Sequence, residues 1–136
     1  DGYHSDITRT VAFGEPDPLM REIRDLVAAA QRDGIDAVRP GVSTVEVDAA
    51  ARSVIAEAGH GDAFPHGLGH GVGLEIHEMP FLRWDGGDEL VEGMVVTIEP
   101  GVYIPGLGGV RIEDMVEVTA DGRREIPRST KELMVL

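Results

Sequence analysis

Glycine stands at positions 67, 69, 71 and 73, inside the stretch Phe64-Pro-His-Gly-Leu-Gly-His-Gly-Val-Gly-Leu-Glu-Ile-His-Glu-Met-Pro80. No helix forms comfortably there, because each glycine costs roughly 1 kcal/mol against alanine in a helix interior. Glycines at this density let the backbone pass close to another surface. The same stretch carries His66, His70 and His77, three of the five histidines in the chain. The residues alone leave two readings open. One is a place where something small and charged binds; the other is a glycine-rich turn with incidental histidines.

The chain has 136 residues, of which 42% are hydrophobic, enough for one domain with a real core. No run of apolar residues is long enough to cross a membrane as a helix, and no secretory leader pattern is visible. Cysteine is absent, which excludes disulfides and thiolate metal sites and fits a reducing, cytoplasmic compartment. The formal net charge of -13 repels phosphate backbones, so no nucleic-acid partner is expected. Excess acid usually means a solvated surface; here it also leaves carboxylates available as metal ligands.

Asp1-Gly2 is a two-residue hairpin turn signal with no strand before it, so the chain reads as a piece of a longer one. Tyr3 to Phe13 alternates, which predicts a half-buried strand. Tyr3, Ile7, Val11 and Phe13 share its apolar face, with Asp6, Thr8 and Thr10 on the polar one. Asp17 caps a helix that opens on Pro18 and stops near Arg39, before Pro40. Ser43 and Glu46 form a capping box for a second helix that ends at Gly59. Both helices read as packing elements with solvated charged faces. Arg83 to Gly93 reads as a polar acidic loop, in which Trp84 is either an anchor or a pocket wall. Met94 to Glu99 predicts a strand with Val95, Thr97 and Glu99 on one face. Val110 to Thr119 predicts another, with Arg111 and Glu113 on one face, before a turn at Ala120-Asp121-Gly122.

Some polar residues are oddly placed for either a core or a plain surface. Asp6 points off a strand, and His70 sits in a glycine-rich bend. Glu99 ends an otherwise apolar strand directly before Pro100-Gly101, and a carboxylate buried there needs a partner. Glu113 lies two residues after Arg111. Three carboxylates and an imidazole from four elements could together make an oxygen-rich metal site, although each residue alone reads as an ordinary one.

The segments Ser5-Asp6-Ile7-Thr8-Arg9-Thr10, His66 to Glu78, Gly93 to Tyr103 and Gly109 to Asp114 resemble, in order, the successive motifs of the pita-bread metallopeptidases. The branch they resemble most is the Xaa-Pro peptidases. The resemblance implies an α+β fold with a curved antiparallel sheet backed by helices, residues 1–136 forming the main part of one catalytic domain. It implies two divalent metal ions, Mn(II) above Co(II) or Zn(II), held by Asp6, His70, Glu99 and a bridging Glu113. Thr8 and Arg9 would support Asp6. The implied reaction is hydrolysis of the peptide bond preceding proline by a metal-activated hydroxide. Glu99 would carry the proton, His77 would stabilise the oxyanion and His66 would hydrogen-bond the proline side of the substrate. Tyr103 and Arg111 would position substrate or ligands, and the glycines would let the substrate backbone approach the ions. His4 and His60 fall outside the motifs and read as exposed residues.

The family's metal set has one further aspartate, placed upstream of Asp1, and a separate N-terminal domain. On that ground these 136 residues alone are expected to bind metal poorly and to have little activity. The proline-containing peptide is the expected partner, with no membrane and with a homodimer allowed by the family. The rivals are another pita-bread hydrolase, such as a methionine aminopeptidase, and a non-catalytic binding module. The binding module would have no reason to keep Asp6, His70, Glu99 and Glu113 together.

Overall fold

Two capped helices lie against one antiparallel sheet in the computed structural model, which describes residues 1–136. Helix α1 (Pro18–Ala37) starts as its sequence requires: the Asp17 carboxylate accepts the Leu19 N–H at 2.8 Å and proline takes the first helical position. It ends slightly before Arg39, with Val38 already extended. Helix α2 (Thr44–Glu57) carries the full capping box of Ser43 and Glu46. Gly59 follows it with a φ of 84°, the left-handed conformation that closes helices. Ile23, Val27 and Ala30 of α1 and Val47, Ala51 and Ile55 of α2 are buried in one core. Gly34 lies inside α1, where a Cβ would stand 3.0 Å from Ile98 and 3.3 Å from Ala51. A bare backbone at that point lets the two helices and the sheet close on one another.

The sheet has five strands in the order β3-β2-β4-β7-β8, all antiparallel. They are β2 (Gly69–Gly71), β3 (Glu78–Leu82), β4 (Val95–Ile98), β7 (Asp114–Thr119) and β8 (Gly122–Glu125). A separate hairpin pairs β5 (Gly101–Ile104) with β6 (Gly108–Arg111). Val96 and Ile98 of β4 enter the core, which leaves Thr97 and Glu99 on the opposite side, as the alternation predicts.

Several expectations are corrected. The Phe64–Pro80 stretch is not simply a bend: it supplies β2, next to the centre of the sheet, and starts β3. Backbone pairing on both sides of Gly69–Gly71 supplies the stability that glycine's intrinsic preferences do not. The single strand expected over Val110–Thr119 is two strands, β6 and β7, interrupted at Ile112-Glu113. There Glu113 leaves both ladders and exchanges two backbone hydrogen bonds with Thr8.

The N-terminal strand is also shorter and turned over. Only Val11–Ala12 (β1) pairs as a strand, parallel to β9 (Met134–Val135). Asp6, Thr8 and Thr10 face inward, whereas Tyr3, Ile7, Val11 and Phe13 are exposed, Phe13 to 96%. Polar partners decide the orientation: the Thr8 and Thr10 hydroxyls bond to Glu113 and to the Arg111 carbonyl. No helix is long and apolar enough to cross a membrane.

Candidate metal centre

Asp6, His70, Glu99 and Glu113 come from four places in the chain and meet at one end of the sheet. Asp6 lies in the N-terminal segment and His70 in β2; Glu99 follows β4, and Glu113 lies between β6 and β7. The His70 Nε2 stands 3.1 Å from Glu99 Oε1 and 3.7 Å from Asp6 Oδ2. Ligand-type atoms of His70, Glu99 and Glu113 lie within 4.8 Å of one another. Those of Asp6, His70 and His77 form a second such group that shares His70. The four residues expected together are together, and His77 joins them as a further donor. Its ring is exposed and tilted against that of His70, with centroids 4.2 Å apart.

His70, Glu99 and Glu113 are each held from behind. The His70 Nδ1–H donates to the Gly71 carbonyl at 3.0 Å, so Nε2 is the ring atom that faces the carboxylates. The Thr97 hydroxyl accepts the His70 backbone N–H and donates to Glu99 Oε1, both at 3.0 Å. The Thr8 hydroxyl donates to Glu113. Arg9 donates to the Glu113 carbonyl at 2.8 Å and pairs with the fully buried Asp114 at 2.6 Å. Thr8 and Arg9 thus support Glu113 and Asp114 more than Asp6. Arg111 reaches the Thr8 hydroxyl at 3.3 Å. The His66 Nδ1–H donates to the Gly67 carbonyl, so Nε2 accepts the Tyr103 hydroxyl at 2.9 Å.

The electrostatics of the cluster follow from this packing. Burial disfavours the charged form of His70, but its bonds to Glu99 and Gly71 and the charges of Glu99 and Asp6 outweigh that, and its pKa rises. Burial also acts against the Glu99 carboxylate. The hydrogen bonds from His70 and Thr97 and the cations His70 and Arg111 prevail, and its pKa falls. Glu113 moves the other way: burial raises its pKa, the Thr8 bond opposes this, and the Glu99 and Asp6 charges add to the rise. Crowded carboxylates of this kind repel one another until a cation sits between them. An oxygen-rich set with one or two imidazoles suits a hard or borderline divalent ion, so these residues fit the metals the motifs imply.

His66, His70, His77, Glu99, Phe81 and Arg83 line an open cleft of about 270 Å³ beside the cluster. Gly67 and Gly69 line this cleft, and the neighbouring glycines also serve the packing of the chain itself. A Cβ on Gly69 would fall inside the Thr97 carbonyl, and one on Gly71 inside that of Met79. They let strands of this chain approach one another. The helices are not wholly passive either, as their charged residues had suggested. Asp48 of α2 is buried and pairs with Arg52 at 2.7 Å, and Gln31 of α1 is buried against Asp114 at 3.0 Å. The i,i+4 spacing of Asp48 and Arg52 was the available signal, but it does not distinguish a buried pair from a surface one. Trp84 is an anchor: its ring lies 4.8 Å from the Arg52 guanidinium. His4 is exposed as expected, whereas His60 is half-buried beyond the end of α2.

Comparison with known proteins places this arrangement. A family model described as metallopeptidase family M24 matches residues 1–120. A Xaa-Pro dipeptidase of Pyrococcus furiosus is 51% identical over 132 residues, covering 97% of this chain and 38% of the relative. The structure of a Xaa-Pro dipeptidase from Bacillus anthracis superposes with a TM-score of 0.97 at 50% identity, covering 99% of this chain and 38% of that one. An X-Pro aminopeptidase from Thermotoga maritima superposes at 0.95 with 37% identity, covering 99% and 38%. The fold is therefore the pita-bread fold that the motifs implied, and the chain spans about 38% of the length of the relatives it matches.

Proposed function

The chain belongs to metallopeptidase family M24, and we propose that it serves metal-dependent hydrolysis of the peptide bond preceding proline. The observation that carries this is that Asp6, His70, Glu99 and Glu113 fall in two ligand-type groups that share His70. The Xaa-Pro names of the relatives support it over a methionine aminopeptidase. A non-catalytic module would gain nothing from crowding three carboxylates around one histidine.

Asp6, His70, Glu99 and Glu113 would hold two divalent cations, with Mn(II) favoured by the carboxylate-rich donor set. Bound there, the cations supply Lewis acidity and a water of lowered pKa. The residues of this chain do the rest. Glu99, whose carboxylate is kept ionised by His70 and Thr97, accepts a proton and returns it to the departing proline nitrogen. His77, exposed at the cleft beside His70, donates to the developing oxyanion. His66 meets the substrate on its proline side and is held in orientation by Tyr103. Arg111 balances the charge of Glu99 and Glu113.

Hydrolysis of Xaa-Pro and Met-Xaa peptides by the protein carrying these residues, supplied with Mn(II) or Co(II), tests the reading. Cleavage of the Xaa-Pro set is expected, with a loss of at least about a thousandfold in Glu99→Ala. Preference for Met-Xaa peptides, or an unaffected Glu99→Ala variant, overturns it.

A further inference from the structure

We propose that the Asp48–Arg52 ion pair of α2 positions the metal centre, setting where His66 and Glu99 stand; the inference rests on the roles given to those two residues above. The segment from Phe64 to Leu68 lies between a short 3-10 turn (Gly61–Ala63) and β2 and belongs to neither. Its backbone groups need partners from elsewhere. Arg52 supplies two of them, donating to the Phe64 carbonyl at 2.9 Å and the His66 carbonyl at 2.8 Å. Asp48 supplies a third, accepting the Leu68 N–H at 3.0 Å. The two side chains are themselves locked by a two-point bridge of 2.7 and 2.9 Å. Three backbone points in five residues are therefore tied to one ion pair on a neighbouring helix.

The tie reaches the site along two routes. The carbonyl bonded by Arg52 is that of His66, whose ring lines the cleft and bonds the Tyr103 hydroxyl. The peptide bonded by Asp48 is that of Leu68, whose carbonyl accepts the Glu99 N–H at 2.8 Å. Leu68 thus passes the position of α2 to the backbone of the proton-carrying carboxylate. Arg52 is also fixed by its faces: its guanidinium lies 4.1 Å from the Phe64 ring centroid and 4.8 Å from that of Trp84. Lysine would keep the charge but lacks the planar fork that serves Asp48 and both carbonyls at once. Asp48 is 1% exposed, a burial that a carboxylate tolerates only when paired and hydrogen-bonded. Neither residue is among the groups that could hold a metal, so both act through others.

Imidazole and amide NMR of the metal-free chain decides the question, using Arg52→Lys and the milder Trp84→Leu, which alters a half-exposed side chain. Spectra are recorded well below the thermal midpoint of each variant. The His66 ring signals and the Glu99 amide are expected to shift in both, more in Arg52→Lys, while amides of β7 and β8 stay in place. In the longer protein that carries these residues, the Co(II) dissociation constant is expected to rise about tenfold in Arg52→Lys, as for other supporting residues of metal sites. A purely structural pair would lower the midpoint and leave the His66 and Glu99 signals unchanged, which overturns the inference. If the longer protein that carries these residues takes up no Co(II), the proposed metal-dependent hydrolysis is what falls, and the NMR signals still decide the positioning role.

Discussion

His70 has an acceptor at each ring nitrogen, the Gly71 carbonyl on one side and the Glu99 carboxylate on the other. Without metal the doubly protonated ring satisfies both. Its folded-state pKa lies above the ordinary 6.5, so it contributes stability in full below that value and loses it as pH rises through the folded pKa. Glu113 has the same sign in the acid range, its contribution fading as pH rises from the ordinary 4.5 through its raised value. Glu99 has the opposite sign, contributing above 4.5 and losing stability as pH falls through its lowered value. Of these three groups, His70 is the one whose contribution changes near neutrality. Urea unfolding of the chelator-treated chain is therefore expected to show stability falling as pH rises above the ordinary imidazole value of 6.5, a slope removed in His70→Asn. A slope that survives the substitution would show that another group is responsible.

At the scale of elements, β2 holds its place because its glycines let it be flanked closely. Gly69 passes against Thr97 of β4, in the pair of strands that also carries His70 and leads to Glu99. A methyl group there meets a backbone carbonyl, which cannot swing away as a side-chain end could. Gly69→Ala is expected to cost about 3 kcal/mol or more in urea unfolding and to separate the two strands. A loss below about 0.5 kcal/mol would show that the strands are free to move apart. The helices contribute at this scale too: α2 presents Asp48 and Arg52 one turn apart, so that a single helix face holds the irregular segment leading into β2.

At the scale of the whole molecule, the unexpected feature is an apolar row on the outside. Tyr3, Ile7 and Phe13 lie on the N-terminal segment, with Met134, Val135 and Leu136 exposed at the other end of the chain. Phe13→Ser is expected to leave the stability of these 136 residues within about 0.5 kcal/mol of the parent, because the ring is 96% exposed. Thermal unfolding of the two proteins checks this; a fall of more than about 2 kcal/mol would mean that Phe13 is packed as the sequence pattern predicted.

Much of the fold and the site was legible in residue order. Asp17-Pro18, the Ser43–Glu46 box and Gly59 act within a few residues of themselves, and the helices begin and end close to where those residues place them. The four motifs identified Asp6, His70, Glu99 and Glu113 as a set, and the structure brings them into two neighbouring groups that share His70. Interactions that depend on distant partners could not be read in this way. Glycine-rich Gly69–Gly71 becomes a strand only because β3 and β4 flank it, and the Val110–Thr119 strand breaks because Glu113 pairs with Thr8 instead. The face that Asp6 presents was reversed by the hydroxyl bonds of Thr8 and Thr10 to a part of the chain about a hundred residues away. Local sequence determined which groups could do chemistry, because side-chain chemistry and helix capping are short-range. Tertiary structure decided which way they face and what holds them, because hydrogen-bond partners and burial exist only once distant segments have met.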